Sequence, residues 1–384
     1  MKIVIASDSF KGSLTSTEVA QAATRGIKAN YPDCEVVAVH VADGGEGTVE
    51  AVVEALGGEI ITAHVSDPLG RPINARYGMV GDKAIIEMAA ASGLTLLRPD
   101  ERNPWLTSTY GTGELIMDAI QRGCRQFLIG IGGSATNDAG TGMLQALGVR
   151  FYNANNQEIT DCCGGRLHEI ARINDSKVAE RVRQSQFTVA CDVDTPFCGR
   201  EGATVVFAPQ KGADTHMVQQ LEKGMASLAN VIENKYHIPI ASLAGAGAAG
   251  GMGGALHAFL NATLKRGIDM VLDAIDFDTI IQGADLIITG EGKIDHQTAK
   301  GKTAKGILAR AKAQDIPVIA IGGSVERCES VEQMGFAGIY PISEENIPLE
   351  IAMQPTIAAA NIEKTIKKIC VCHKFSVPLR PETK

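Results

Sequence analysis

A chain of 384 residues exceeds what one hydrophobic core usually serves, so two domains are expected. With 45% hydrophobic and 21% charged residues and no low-complexity block, the composition excludes a disordered chain. A net charge of −8 without a basic cluster argues against nucleic acid or an anionic membrane as the partner and favours a small molecule.

The chain begins MKIVIASDSF, an apolar run too short for the core of a signal peptide, which reads as a first strand and points to a cytoplasmic protein. A polar loop, SDSFKGSL, leads to a helix marked by a capping box, Thr15 to Glu18, with Val19, Ala23 and Ile27 on its apolar face. Strand EVVAVHV, loop ADGGEG and helix TVEAVVEAL follow, the last stopping at Gly57-Gly58. Near the other end the same rhythm returns with ADLIITG (284–290), a helix around KTAKGILARAKAQ, PVIAIGG (317–323) and GIYPIS (338–343). Continuous apolar strands alternating with helices are the pattern of buried parallel strands. Two strands before and three after the middle of the chain predict an α/β fold, a flavodoxin-like parallel five-stranded sheet domain interrupted by a second, inserted α/β domain. The expected division is 1–65 with 260–384 for the first domain and 66–259 for the second, with the active site in the cleft between them.

Three loops of the first domain carry acids and lysines: Asp8, Ser9 and Lys11; Asp43 and Glu46; and, in GEGKID, Glu291, Lys293 and Asp295. Asp8 and Asp43 could simply cap helices. Helix capping does not account for the lysines, and the combination suggests an anion site, with a cation as a further element.

The inserted segment holds IGIGGSATNDAGTGM (129–143), which follows the strand-like RQFLI and contains G-x-G-x-x-A. Its mid-chain place and its polar Thr-Asn-Asp continuation count against a dinucleotide fingerprint. Backbone amides at Gly132 and Gly133, with Ser134 and Thr136 hydroxyls at a helix N-terminus, would serve any phosphate. KGKT (300–303) lacks the earlier glycine of a Walker loop, since His296 stands there. The run GAGAAGGMGG (245–254) suits close packing ahead of a helix or phosphate contact equally. Strand FTVACDVD brings up Asp192, and VVFAPQKGAD is expected to place Gln210 and Lys211 in a turn after another strand. Glu87, in AIIEMAAASG, needs a cation or a hydrogen-bond donor if buried. Nine cysteines without C-x-x-C read as reduced thiols, and Cys370-Val-Cys372-His373 is too small a fragment to assign as a metal site.

Taken in order, DSFKGS, ADGGEGT, DPLGR (67–71), EMAAASGL, TYGTGELI (109–116), GIGGSATNDAGTGM, ACDVDTPF, FAPQKGA, GAGAAGGMGGAL and ITGEGKID resemble the bacterial glycerate kinase family from residue 2 to about 345. Two small departures are Ser7, where that family often has proline, and Ala139, where glycine is common; the tail KKICVCHKFSVPLRPETK matches little. The resemblance implies a flavodoxin-like domain interrupted by a second α/β domain. It also implies transfer of a phosphoryl group from ATP, with Mg²⁺, to the 2-hydroxyl of D-glycerate in organic-acid catabolism.

On that reading Lys11 and Arg71 hold the glycerate carboxylate or the transferring phosphate, and Asp8, Ser9, Asp43 and Glu46 bond its hydroxyls. Asp192 and Asp295 are candidates for Mg²⁺ or for the hydroxyl proton. Lys211 and Lys293 neutralise the triphosphate, with Gly132, Gly133, Ser134, Thr136, Asn137, Gly290 and Glu291 around the phosphates. Phosphorylation at the 3-hydroxyl, a sugar-acid or nucleotide binding protein without turnover, an NAD(P) oxidoreductase and a homo-oligomeric state stay open at this point.

Overall fold

The computed structural model describes residues 1–45, 47–296, 298–300, 303–343 and 347–372. It divides into two compact units, Met1–Asp43 with Val271–Lys384, and Gly44–Met270. The first unit opens with β1 (Lys2–Ser7) and β2 (Glu35–His40). The second carries β3 (Glu59–Ser66), β4 (Pro72–Val80), β5 (Lys83–Glu87), β6 (Gln126–Gly130), β7 (Arg150–Tyr152), β8 (Glu158–Ile159), β9 (Arg172–Asn174), β10 (Gln186–Ala190) and β11 (Thr263–Lys265). The chain returns to the first unit for β12 (Leu286–Ile294), β13 (Val318–Val325) and β14 (Gly338–Pro341).

In the first unit these strands form one parallel sheet in the order β2-β1-β12-β13-β14, with Ile5 opposite Ile288 and Ile288 opposite Ile319. This is the flavodoxin-like order 2-1-3-4-5. The helix Ser16–Lys28 begins as its sequence dictates: the Glu18 amide donates to the Thr15 hydroxyl at 3.2 Å and the Thr15 amide to the Glu18 carboxylate at 2.8 Å. Its buried Val19, Ala23 and Ile27 join Ile3, Ile5 and Ile288 in a core that also takes Ile362 and Ile366 from the helix Pro355–Cys372. Gly26 permits that helix pair to close, since a Cβ there would come within 2.7 Å of the Glu363 carbonyl oxygen. β12 runs beyond the expected 284–290 as far as Ile294, because Glu291 and Lys293 stay in register with Gly322 and Ser324 of the equally long β13. Glu291, Gly292 and Lys293 are thus strand residues, and only Asp295 lies in the turn after them.

The second unit is built on a six-stranded mixed sheet, β11-β10-β6-β5-β4-β3, with β5, β6, β10 and β11 parallel and β3-β4-β5 antiparallel, beside a small sheet β8-β7-β9. Phe127 and Phe187 stack at 4.8 Å between ring centroids in its core. The helix Thr48–Leu56 belongs here and not with the first sheet. Gly78 of β4 explains it: a Cβ there would lie 2.4 Å from Val53, so the absence of a side chain lets the valine face of this helix lie on the strand. The chain therefore changes units between Asp43 and Gly44 and again between Met270 and Val271, where strand rhythm alone had suggested 65 and 260.

Two local expectations are corrected. Residues 203–207 form a helical turn and Pro209–Lys211 a 3₁₀ turn, not a strand and its turn; Ala203 and Thr204 are buried while Val205 and Val206 face outward, a split that period-two alternation cannot give. Residues 131–140 are an extended loop, and the helix after it starts only at Thr141, so Ser134 and Thr136 are not at a helix N-terminus.

Candidate active site

Ligands in open parallel sheets sit beyond the carboxyl ends of the strands where strand order reverses, here between β1 and β12. A pocket of about 360 Å³ occupies that place in the first unit. Asp8, Ser9, Lys11, Asp43, Lys293 and Asp295 all line it, together with Glu291. Neither Asp8 nor Asp43 caps a helix; the caps are Thr15 and Gly47.

Asp8 is tied down from two sides, its carboxylate accepting the Ser9 amide at 2.7 Å and the Thr303 hydroxyl at 3.0 Å. Burial pushes the Asp8 carboxyl above the usual carboxylate range, and the charge of Asp43 adds to that rise. Lys293 is exposed and forms ion pairs with Glu326 at 2.9 Å and Asp295 at 3.2 Å. Glu291 is turned to structure: it accepts the Ala304 amide at 3.2 Å in the first turn of the helix Thr303–Lys312 and the Thr298 hydroxyl at 3.4 Å. Gly290 contributes its carbonyl, which accepts the Ser7 hydroxyl at 3.1 Å and locks the end of β1 to β12; a Cβ on Gly290 would meet Ile321 at 2.8 Å. Glu46, the tail from His373 onward, and Gly301 and Lys302 of KGKT lie outside the described residues.

In the second unit the loop after β6 closes over Lys211. This lysine is fully buried, with its ammonium 2.7 Å from the Ser134 hydroxyl and 2.6 Å from the Thr136 carbonyl. Burial pushes it down to about 7, against the pull of nearby Asp138. Lys211 thus lies beneath the glycine loop and holds it, while Gly132 and Gly133 above are exposed. Thr136 Oγ1 and Asn137 Oδ1 are buried without a hydrogen-bond partner, although the Asn137 amide donates to Thr204 at 3.1 Å. Such orphaned acceptors are rare and are commonly met by a ligand or water.

Asp138, which the sequence reading passed over, organises the same loop. Its buried carboxylate accepts the Thr109 amide at 2.8 Å, the Thr109 hydroxyl at 2.7 Å and the Gly140 and Gly142 amides at 3.2 Å. The Asn-Asp after the glycines was the available signal, since aspartate favours bonds to nearby backbone. The run 245–254 packs beneath: Ala249, Gly250 and Gly251 adopt left-handed backbone, and a Cβ on Gly250 would lie 2.2 Å from the Thr136 carbonyl oxygen. Gly44 and Gly130 show the same economy, the Gly44 carbonyl lying where a Cβ of Gly130 would stand, at 2.4 Å. Glu87 finds its donors at the start of the helix Thr48–Leu56, accepting the Val49 amide at 3.0 Å. Asp192, exposed after β10, accepts the Gly267 amide at 3.0 Å. Arg71 is half exposed and committed to two acids, Asp67 at 2.6 Å and Glu101 at 2.7 Å.

The model of the glycerate kinase family matches residues 3–374. The chain belongs to that family. It is 48% identical over 379 residues to the glycerate kinase of Bacillus subtilis strain 168, covering 98% of each chain, and 47% identical over 379 residues to that of Bacillus cereus, covering 98% of this chain and 99% of the relative. The glycerate 2-kinase of Escherichia coli K12 is 46% identical over 345 residues, 89% of this chain and 90% of the relative. A crystal structure from Salmonella typhimurium LT2, provisionally named glycerate kinase 2, superposes with a TM-score of 0.88 at 44% identity, covering 97% of this chain and 98% of that one.

Membership gives the two departures from the glycerate kinase pattern a physical meaning. Ser7 supplies the hydroxyl that bonds Gly290, a link proline could not make. Ala139 sits at φ 53°, the left-handed region, which costs an L-residue about 1–2 kcal/mol and which the glycine expected there from the resemblance would adopt without that cost. No helix among the described residues is long and apolar enough to cross a membrane.

Proposed function

We propose that this chain phosphorylates D-glycerate with ATP, giving 2-phosphoglycerate and ADP, in the cytoplasm. The observation that carries the reading is the pocket at the β1/β12 switch point, where carboxylates and lysines line one cavity in a chain of the glycerate kinase family. The 2-hydroxyl oxygen bonds to the γ-phosphorus as the bond to the β–γ bridging oxygen breaks. ADP leaves with that electron pair, and the hydroxyl proton goes to a carboxylate.

Phosphoryl transfer requires positioning and charge neutralisation. Lys11 and Arg71 are assigned to the glycerate carboxylate or the transferring phosphate, and Ser9 to a hydroxyl. Arg71 is held in place by Asp67 and Glu101, which orients its remaining N–H groups. The amides of Gly132 and Gly133 and the side chains of Ser134, Thr136 and Asn137 are assigned to phosphate, with Lys211 fixing the loop and Lys293 contributing charge.

Mg²⁺ fits Asp8 and Asp43, because both carboxylates line one pocket and the charge of Asp43 adds to the rise at Asp8, a repulsion that a cation relieves; Asp192 and Asp295 stay as the alternative pair. When bound, the ion neutralises charge on the phosphates. Asp192 or Asp295 then receives the proton.

The test is ADP release from ATP, Mg²⁺ and D-glycerate, with the product passed to enolase alone and then to enolase plus phosphoglycerate mutase. Conversion by enolase alone is expected. Conversion only with the mutase would mean the 3-phosphate, and no ADP would remove the kinase reading.

A further inference from the structure

The pocket of the first unit has a lining of two chemical kinds. Lys11, Lys293 and the carboxylates are one; the other is apolar, Phe10, Ile342, Leu349, Ala352, Met353 and Ala358. Glycerate is a three-carbon acid with a polar group on every carbon and has no use for such a wall. At about 360 Å³ the cavity also lies in the range of sites that hold cofactor-sized ligands.

Leu349 is 70% exposed although it lines the same pocket as buried Ile342 and Ala358. One exposed leucine is ordinary by itself; here it continues an apolar lining shared with Ile342, Met353 and Ala358, as ligand sites do. Most of this wall follows the last strand, with Leu349 and Ala352 on the helix Leu349–Ala352, Met353 just after it and Ala358 on the helix Pro355–Cys372.

We propose that the wall of Ile342, Leu349 and Met353 binds the adenine and ribose of the phosphate donor, with its phosphates running toward Lys11 and Lys293. This rests on the kinase reading above and assigns one of its two substrates to the first unit. A nucleotide matches the pocket in both halves: a flat, largely apolar base against aliphatic side chains, and an anionic tail against ammonium groups. The hydroxyls of Ser324 and Ser343, on the same pocket, offer hydrogen bonds to the polar edge of base or sugar.

The test is ADP binding by titration calorimetry, which needs no glycerate and no turnover, on the parent chain and on Leu349→Ser and Met353→Ser. Ile351→Ser is the control, because Ile351 is exposed at 44% on the same short helix but does not line the pocket. The expected result is an ADP Kd raised about tenfold in the two pocket variants, equal to about 1.4 kcal/mol, and unchanged in the control. Inhibition by inorganic tripolyphosphate, which has no base, should stay within twofold of the parent in all three.

Equal weakening of ADP and tripolyphosphate would overturn the proposal, since the wall would then act on the phosphates or the fold. Unchanged ADP binding with a raised KM for glycerate would also overturn it and give the pocket to the acid. Failure of the kinase reading shows separately, as a parent chain that binds ADP but releases none from ATP and glycerate.

Discussion

The ammonium of Lys211 lies 2.7 Å from the hydroxyl of Ser134, wholly out of solvent and on the inner side of the glycine loop. A lysine in that position costs the folded state more when charged than when neutral, which makes its contribution depend on pH.

Below about 7 both folded and unfolded chains carry the proton on Lys211; between about 7 and the ordinary lysine value of 10.5 the folded amine is neutral while the unfolded one stays charged. The folded state binds fewer protons across that window, so stability rises with pH there. The stability of the parent minus that of Lys211→Met, from urea unfolding at pH 6, 7, 8, 9 and 10, should therefore climb from pH 7 upward. A difference that does not change with pH would show that the lysine titrates normally.

Asp138 accepts donors from Thr109, Gly140 and Gly142 inside the protein. Asp138→Ala leaves several of them without a partner and should cost about 3 kcal/mol or more. Asp138→Asn keeps one acceptor oxygen and should cost less. Denaturant midpoints at constant m-value give the comparison, and equal costs would mean the carboxylate's extra bonds contribute nothing.

Gly250→Ala adds a Cβ at φ 68° and 2.2 Å from the Thr136 carbonyl. Both faults act together, and a loss of about 2 kcal/mol or more is expected. The glycine loop rests on this contact, so kcat should fall as well. A variant as stable and active as the parent would show that 245–254 does not support the loop.

Glu87→Ala removes the carboxylate at the start of the helix Thr48–Leu56 and should destabilise by about 1 kcal/mol, the usual worth of an N-terminal cap. Glycerate KM should not move. A changed KM with unchanged stability would assign Glu87 to substrate and not to the helix.

Asp8→Asn and Asp43→Asn should each lower kcat about a hundredfold or more with folding intact, and chelation of Mg²⁺ should abolish turnover reversibly. Calorimetric Mg²⁺ titration in the presence of ADP separates the two carboxylate sets. Mg²⁺ binding lost in Asp192→Asn and kept in Asp8→Asn would return the metal to the second unit.

The parts of the fold written locally were readable. Thr15 and Glu18 bond each other's backbone across one turn, and the apolar runs of β1, β2, β12, β13 and β14 identify themselves by composition. What escaped depends on partners distant in the chain. Nothing in TVEAVVEAL says that Gly78 offers it a smooth strand, so its unit was misplaced, and Val205-Val206 look like strand residues until Ala203 and Thr204 are seen to be the buried pair. The candidate site divides in the same way. Acids and lysines at strand ends were visible as such, but Lys211 beneath its loop, Asp138 at the loop's centre and the apolar wall beyond β14 became visible only when separate segments met.

The pairing of β1 with β12 joins residues separated by about 280 positions, with the whole second unit between them. During synthesis, at about 5–20 residues per second, β1 and β2 wait on the order of half a minute for the strand that completes their sheet. The second unit, made of one unbroken stretch, has no such delay and can fold first. The first unit's open strand edge is then the stretch most exposed to wrong partners in the nascent chain, and slow release from the ribosome should burden β1 more than any other strand.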